Sequence, residues 1–354
     1  MKETKLSRSD GTSNGVKVTK VLVIFTTLSA VMLVVAAVYA INASGSGFSR
    51  AADSERHLAA GAKKRCFLVV YMAVCWWHTE ERQAIRDTWM SVAGPDVCCY
   101  FGIGTADAPV KGTLTLKAEN LRHGDILTFP ENTDLFVEQP LIILRLNEWV
   151  NRNIDFKFIV KTDMDTYVRI QYIKSVLKQI DSPGRLLWGR YVLKNWIPPR
   201  EKACNKGDPW DEADKNVPYP LGGGYVMSAD ISRYLAQNWQ MFTIYCWEDE
   251  SVGIWTVGLR ILRLHDARFL TYKTMVCDDG AIMIHEVKPA SRMREVHNNF
   301  VKRGRMCPWT VPTVWQQPLG VVNPRVLITD PSLLQHSRQV VKILSTPLNQ
   351  TLHR

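Results

Sequence analysis

The residues KTDMDTYV, Lys161–Val168, follow directly on the apolar stretch FKFIV. Two carboxylates, Asp163 and Asp165, therefore flank one residue past the end of a buried strand, where open α/β sheets bind their ligands. Residues two apart on an extended chain point to the same side, so the pair can share a hard cation and a diphosphate that the cation bridges. A D-x-D string alone is common in solvated loops, and the preceding strand is what gives this one weight. When a bond to a nucleoside diphosphate breaks, the leaving group gains negative charge, which a divalent cation neutralises without a proton. Oxygen ligands suit Mn²⁺ or Mg²⁺. An imidazole could join them, and His285 closes the apolar run AIMIH, although a lone histidine is ordinarily a core or surface residue.

Two further segments could border such a site. LGGGYVMSAD places Gly222, Gly223 and Gly224 before an apolar run; the triplet permits positive φ and close backbone approach, but lacks the spacing of a dinucleotide site or a P-loop. Taken alone it predicts a tight turn. WEDESVG gathers Glu248, Asp249 and Glu250 among Tyr245, Trp247, Val252, Ile254 and Trp255, which predicts at least one carboxylate held in a cleft. Such a carboxylate could take the proton from an attacking hydroxyl.

The elements that must position these groups alternate. Cys66–Val74, Val97–Gly104, Phe156–Val160 and Arg185–Trp188 read as strands. Thr79–Met90, with Thr79 as N-cap, Leu135–Val150, interrupted by Pro140, Tyr172–Ile180, and Ala229–Gln237, capped by Ser228, read as helices. The alternation predicts an α/β fold with helices on both faces of a sheet.

Val21–Ile41 carries neither charge nor proline and is long enough, as a helix, to cross a hydrocarbon layer of roughly 30 Å. Lys2, Lys5, Arg8, Lys17 and Lys20 precede it, so the positive-inside bias puts residues 1–20 in the cytosol and the rest in the lumen. A cleaved signal peptide is the rival, but the apolar run exceeds the usual ~7–15 residues. The Ala/Ser/Gly-rich residues 42–62 suit a stem, 63–307 a folded luminal domain, and the proline-rich 308–354 an appended tail. The net charge of +10 comes from dispersed residues with no RNA- or DNA-binding motif, which favours anionic nucleotide-sugars and glycans as partners over nucleic acid. Eight cysteines without CxxC pairs make disulfides the expectation in a lumen, and adjacent Cys98 and Cys99 are not expected to bond to each other. Sequons stand at Asn42 and Asn349.

Six motifs in order, RQAIRDTW, GDIL, KTDMDTYV, YPLGGGYVMS, EDESVG and IHEVKP, resemble the β1,3-glycosyltransferases of glycosyltransferase family thirty-one. The resemblance implies an α/β GT-A-type, Rossmann-like fold with a central, mostly parallel sheet, and an inverting, metal-dependent transfer from a UDP-sugar. It implies that Asp165 binds Mn²⁺ (or Mg²⁺) directly, that Asp163 lies nearer the ribose or phosphate, and that His285 is an additional ligand. Asp249 would be the catalytic base; Arg82, Arg86, Glu248 and Gly222, Gly223 and Gly224 would border the nucleotide-sugar. PYPLGGGYVMSADISRYL, HDARF and RGRMC resemble the branch that extends the proteoglycan linker, which implies UDP-galactose as donor, a β-galactose-ended glycan as acceptor, and a Golgi membrane location. Met164 stands where the family carries a third acidic residue, and EQPLI replaces its N-L-T-x-K motif. A homo-oligomer is compatible with this reading. The alternatives are an N-acetylglucosaminyltransferase of the same family, or a non-catalytic chaperone or glycan-binding relative.

Overall fold

The computed structural model describes residues 63–180, 184–192, 217–271, 277–307, 325–328 and 334–344. Val21–Ile41, the stem and both sequons lie outside them; among the described residues no helix is long and apolar enough to cross a membrane. The described residues, all from Lys63 onward, belong to one compact unit.

The strands are β1 (Lys64–Arg65), β2 (Leu68–Ala73), β3 (Val97–Gly104), β4 (Ile126–Phe129), β5 (Ile154–Asp155), β6 (Phe158–Thr162), β7 (Tyr167–Val168), β8 (Leu186–Val192), β9 (Tyr219–Ser228), β10 (Leu262–His265), β11 (Phe269–Leu270), β12 (Met283–Ile284) and β13 (Arg325–Ile328). The helices are α1 (Thr79–Asp87), α2 (Val110–His123), α3 (Gln139–Asn153), α4 (Ile170–Leu177), α5 (Ala229–Asn238), α6 (Glu248–Thr256), α7 (Ala290–Arg303) and α8 (Leu334–Leu344). Eight strands form the central sheet in the order β13-β10-β8-β9-β6-β2-β3-β4.

The β6-β2-β3-β4 half is parallel, as expected for strands joined by helical crossovers. The sheet as a whole is mixed but keeps a parallel majority: β10, β8, β6, β2, β3 and β4 run the same way, while β9 runs antiparallel to both β6 and β8, and β13 antiparallel to β10. Arg325–Ile328 of the proline-rich segment thus adds an edge strand to the sheet. Alternate residues of β2 feed opposite layers: Leu68, Val70 and Met72 meet Ile85 of α1, Ile173 of α4 and Met293 of α7, while Val69 and Tyr71 meet Ile143 of α3, Leu235 of α5 and Val252 of α6. Each fully buried aliphatic side chain contributes about 1.5–3 kcal/mol.

Local differences from the sequence reading have physical causes. Pro140 starts α3 instead of interrupting it, since its missing N–H is not needed in a first helical turn. The N-cap of α1 is His78, and neither it nor Ser228 makes a side-chain cap bond; the Ser228 hydroxyl donates to Asp230 Oδ1 at 2.5 Å. Gly222, Gly223 and Gly224 form no turn but the middle of the ten-residue strand β9, and none has positive φ. The acidic cluster is the first turn of α6, where carboxylates complement the helix dipole. Disulfides join Cys66 to Cys98 and Cys277 to Cys307, while Cys99 is free.

Candidate active site

The carboxyl ends of the parallel strands β2, β3, β4 and β6 share one edge of the sheet, and the chemistry gathers there. β6 ends at Thr162, so Asp163 and Asp165 lie on the loop to β7. β7 pairs with β12 in the register Tyr167↔Ile284, which sets His285 beside the two aspartates across more than a hundred residues of chain. His285 Nε2 lies 3.1 Å from Asp165 Oδ1 and 3.4 Å from Asp163 Oδ2. Lys288 Nζ reaches Asp165 Oδ2 at 3.3 Å.

Ligand atoms of these three residues all lie within 4.8 Å of one another. Atoms sharing a cation at about 2.1 Å sit about 3 Å apart when adjacent and about 4.2 Å apart when opposed, so this donor set fits one divalent ion with open positions. Without an ion, burial lowers the His285 pKa, but hydrogen bonding to Asp163 and Asp165 outweighs it and raises the group to about 10. Burial likewise pushes Asp163 up, and Lys161 with His285 overcomes it, holding the carboxyl at about 2. A bound cation would take the place of the imidazole proton.

Lys161, at the end of β6, was not among the sequence candidates, yet it stands at the centre of the site. Its buried ammonium donates to Asp163 Oδ1 at 2.9 Å and to the Gly222 carbonyl at 2.6 Å, and pairs with Glu248 Oε2 at 2.7 Å. Tyr225, also missed, donates its hydroxyl to Glu248 Oε1 at 2.5 Å. Glu248 is therefore a buried partner of Lys161 beneath the mouth of the site. The signal for Lys161 was a cation ending an apolar strand two residues before the acidic pair.

Asp249, next along α6, accepts the Gly222 N–H at 2.9 Å and the Glu250 N–H at 3.0 Å. Burial raises its pKa, against the opposing pull of Lys161, and the neighbouring Asp163 adds to the rise. A held carboxylate of raised basicity is suited to accept a proton. The three glycines of β9 make this convergence possible. A Cβ at Gly222 would lie 3.2 Å from Asp249 Oδ2, one at Gly223 2.8 Å from His285 Cγ, and one at Gly224 against Met283 Sδ. The structure thus assembles Asp163, Asp165, His285, Glu248, Asp249 and Gly222–Gly224 in one place.

Arg82 and Arg86 are turned elsewhere. Arg82 is wholly buried; it donates to Glu119 at 2.6 and 2.8 Å, to the carbonyls of Cys75 and Trp76, and to Thr79 Oγ1. Arg86 binds Glu119 at 2.7 Å and both oxygens of Asp125 at 2.8 Å. A guanidinium out of water needs carboxylates around it, and these two find them on α2 and the turn after it. Through Arg82 they brace the loop Cys75–His78, whose histidine lies near enough to feel the charge of Asp165.

A mixed α/β sheet with a carboxylate pair, a histidine and a separate carboxylate of raised pKa at one strand edge is consistent with an α/β fold of GT-A type. Residues 80–267 match the family model described as Galactosyltransferase, and the chain belongs to that family, which makes it a hexosyltransferase with a nucleotide-sugar donor. Beta-1,3-galactosyltransferase 6 of Mus musculus is 31% identical over 271 residues, covering 73% of this chain and 81% of that protein. UDP-GalNAc:beta-1,3-N-acetylgalactosaminyltransferase 2 of Homo sapiens is 31% identical over 180 residues, 49% of this chain and 34% of that protein. Hydroxyproline O-galactosyltransferase GALT2 of Arabidopsis thaliana is 32% identical over 204 residues, 55% of this chain and 28% of that protein.

Proposed function

We propose that this glycosyltransferase moves galactose from UDP-galactose to a hydroxyl of a β-galactose-ended glycan, forming a β1,3 linkage with inversion, as in proteoglycan-linker synthesis. It would act in the Golgi lumen, anchored through Val21–Ile41. The observation that carries the reading is the convergence of Asp163, Asp165 and His285 on one side of the β9 glycines with Asp249 on the other. The donor assignment is supported by the match to the mouse galactosyltransferase, which spans most of both chains.

Asp163, Asp165 and His285 would hold Mn²⁺ or Mg²⁺, which supplies positive charge against the departing diphosphate. Asp249 accepts the proton of the acceptor hydroxyl as that oxygen bonds to C1 of the sugar. The C1–O bond to UDP breaks, and its electron pair leaves with the diphosphate. Lys161 pairs with Glu248 and holds Asp163 ionised, and the Gly222 N–H fixes one oxygen of Asp249, so the base is oriented before substrate arrives.

Transfer assays with the full-length chain, Mn²⁺ and separate UDP-sugars test this directly, with the product linkage determined. Asp165→Ala is expected to abolish metal-dependent transfer, and Asp249→Asn to cut turnover by at least about 10²-fold while UDP affinity stays at the wild-type level. Full turnover in Asp249→Asn would remove the base from the scheme. The matches to N-acetylgalactosaminyltransferases favour one rival donor, UDP-N-acetylgalactosamine. Competition between the two donors for one acceptor separates the readings.

A further inference from the structure

Three consecutive apolar residues, Leu135, Phe136 and Val137, stand at the surface with exposures of 57%, 43% and 37%. Such a run on a water-facing loop opposes folding and solubility unless it has a task. This loop is not loosely held. Asp134 accepts the Trp76 N–H at 2.5 Å and donates its own N–H to Asp107 Oδ1 at 3.0 Å. Glu138 Oε2 accepts from the Thr133 N–H at 2.8 Å and from Asn132 Nδ2 at 3.2 Å. The backbone is pegged on both sides while its apolar side chains face outward.

Its position gives the exposure a meaning. The loop follows β4 on the carboxyl edge of the sheet, the edge that bears Asp163 and Asp165. Phe136 meets Trp247 edge to face, with ring centroids 4.9 Å apart at 72°. Trp247 is the N-cap residue of α6, directly before Glu248 and two residues before Asp249; the Ser251 N–H and hydroxyl both donate to its carbonyl. On the other side, Asp134 ties the loop to Trp76, on the segment Cys75–His78 that Arg82 also holds. The aromatic pair therefore lies on the rim next to the proton acceptor.

We propose that Phe136 and Trp247 form an aromatic platform for the acceptor glycan, one ring stacking on the C–H face of the pyranose whose hydroxyl Asp249 deprotonates and the other, set edge to face, holding it in place. A pyranose presents C–H groups made partly positive by neighbouring oxygens, and an aromatic face carries the complementary negative quadrupole. Its hydroxyl groups meanwhile stay at the edge, free to turn toward a carboxylate. Two rigid rings lose little freedom on binding, and a ring next to the base holds one hydroxyl within its reach. This assignment rests on the proposed transfer reaction and adds the residues that would select its acceptor.

The test is saturation-transfer NMR with methyl β-galactopyranoside on the full-length chain, in a detergent without a sugar headgroup, alongside calorimetric titration with UDP. The wild type is expected to bind the pyranoside through its ring C–H protons. Phe136→Ala and Trp247→Ala should each weaken that binding by about tenfold, Trp247→Phe should restore most of it, and UDP affinity should not change in any variant. Should Trp247→Ala fail to fold, Phe136→Ala decides, since its side chain stands at the surface. Absence of pyranoside binding in the wild type, or unchanged binding in Phe136→Ala, overturns the platform. Transfer with an unaltered acceptor KM in the variants would likewise sink the platform and leave the transfer reading intact. Pyranoside binding lost in the variants, with no sugar transferred from any donor by the wild type, would sink the reaction and leave the platform standing.

Discussion

The charge on Lys161 decides whether four carboxylates can share one edge of a sheet. Its ammonium donates hydrogen bonds to Asp163 and the Gly222 carbonyl and forms an ion pair with Glu248 at 2.7 Å. Burial alone would lower its pKa, yet Asp163 and Glu248 together raise it, so the group stays charged out of water. Replacing it with a neutral chain strands Glu248, whose own pKa burial already raises. Lys161→Met is therefore expected to destabilise the fold by about 3–5 kcal/mol, a fall in Tm of about 10 °C. The double variant Lys161→Met/Glu248→Leu should recover most of that loss, because removing both partners leaves no orphaned charge. Thermal unfolding of both proteins checks it; a double variant no more stable than the single one would contradict the pairing.

At the scale of the element, β9 shows what the sequence could and could not disclose. Its three glycines read locally as a turn, because glycine is the residue that turns require, and nothing within the segment reports what lies across from it. In the fold they are needed for room: each stands against a different group, Asp249, His285 or Met283. Gly223→Ala would drive a methyl group to 2.8 Å from His285 Cγ and 3.0 Å from the Thr271 carbonyl. Mn²⁺ affinity, followed by titration of the unbound ion, should fall by about 10–100-fold while the sheet survives, since a shifted imidazole no longer faces the aspartates. An unchanged affinity would show that His285 does not hold the ion. Strand β3 was legible to the residue, Val97–Gly104, because an apolar β-branched run bounded by turn residues carries its own signal. The same logic located the D-x-D loop, since it needed only a buried strand followed by two acids. Lys161 escaped notice because one lysine at a strand end has no periodic pattern. The partnership of Arg82 with Glu119 escaped because ion pairs between separate helices leave no trace in spacing.

Across the whole molecule, the site depends on a segment outside the span that matches the family model, which ends at residue 267. His285 and Lys288 lie between Cys277 and Cys307, a disulfide closing a loop with a sequence separation of 30. The other bond, Cys66 to Cys98, joins the starts of the paired strands β2 and β3, far from the aspartates along both strands. The two bonds close loops of similar length, so chain entropy assigns each about 3.6 kcal/mol of stability and, for a domain of this size, a Tm loss of about 7–14 °C on removal. Their effects on the ion should differ. Opening Cys277–Cys307 removes the covalent tie between the ends of the segment that brings His285 to Asp165, leaving them joined by Asp279 to Arg305 and the Cys307 N–H, whereas opening Cys66–Cys98 leaves the β7–β12 pairing untouched. Cys277→Ser/Cys307→Ser is therefore expected to lower both Tm and Mn²⁺ affinity, and Cys66→Ser/Cys98→Ser to lower Tm alone. Thermal melts and ion titrations on the two variants decide the matter, and an equal loss of Mn²⁺ affinity in both would mean that general loosening, not the tether on His285, governs the site.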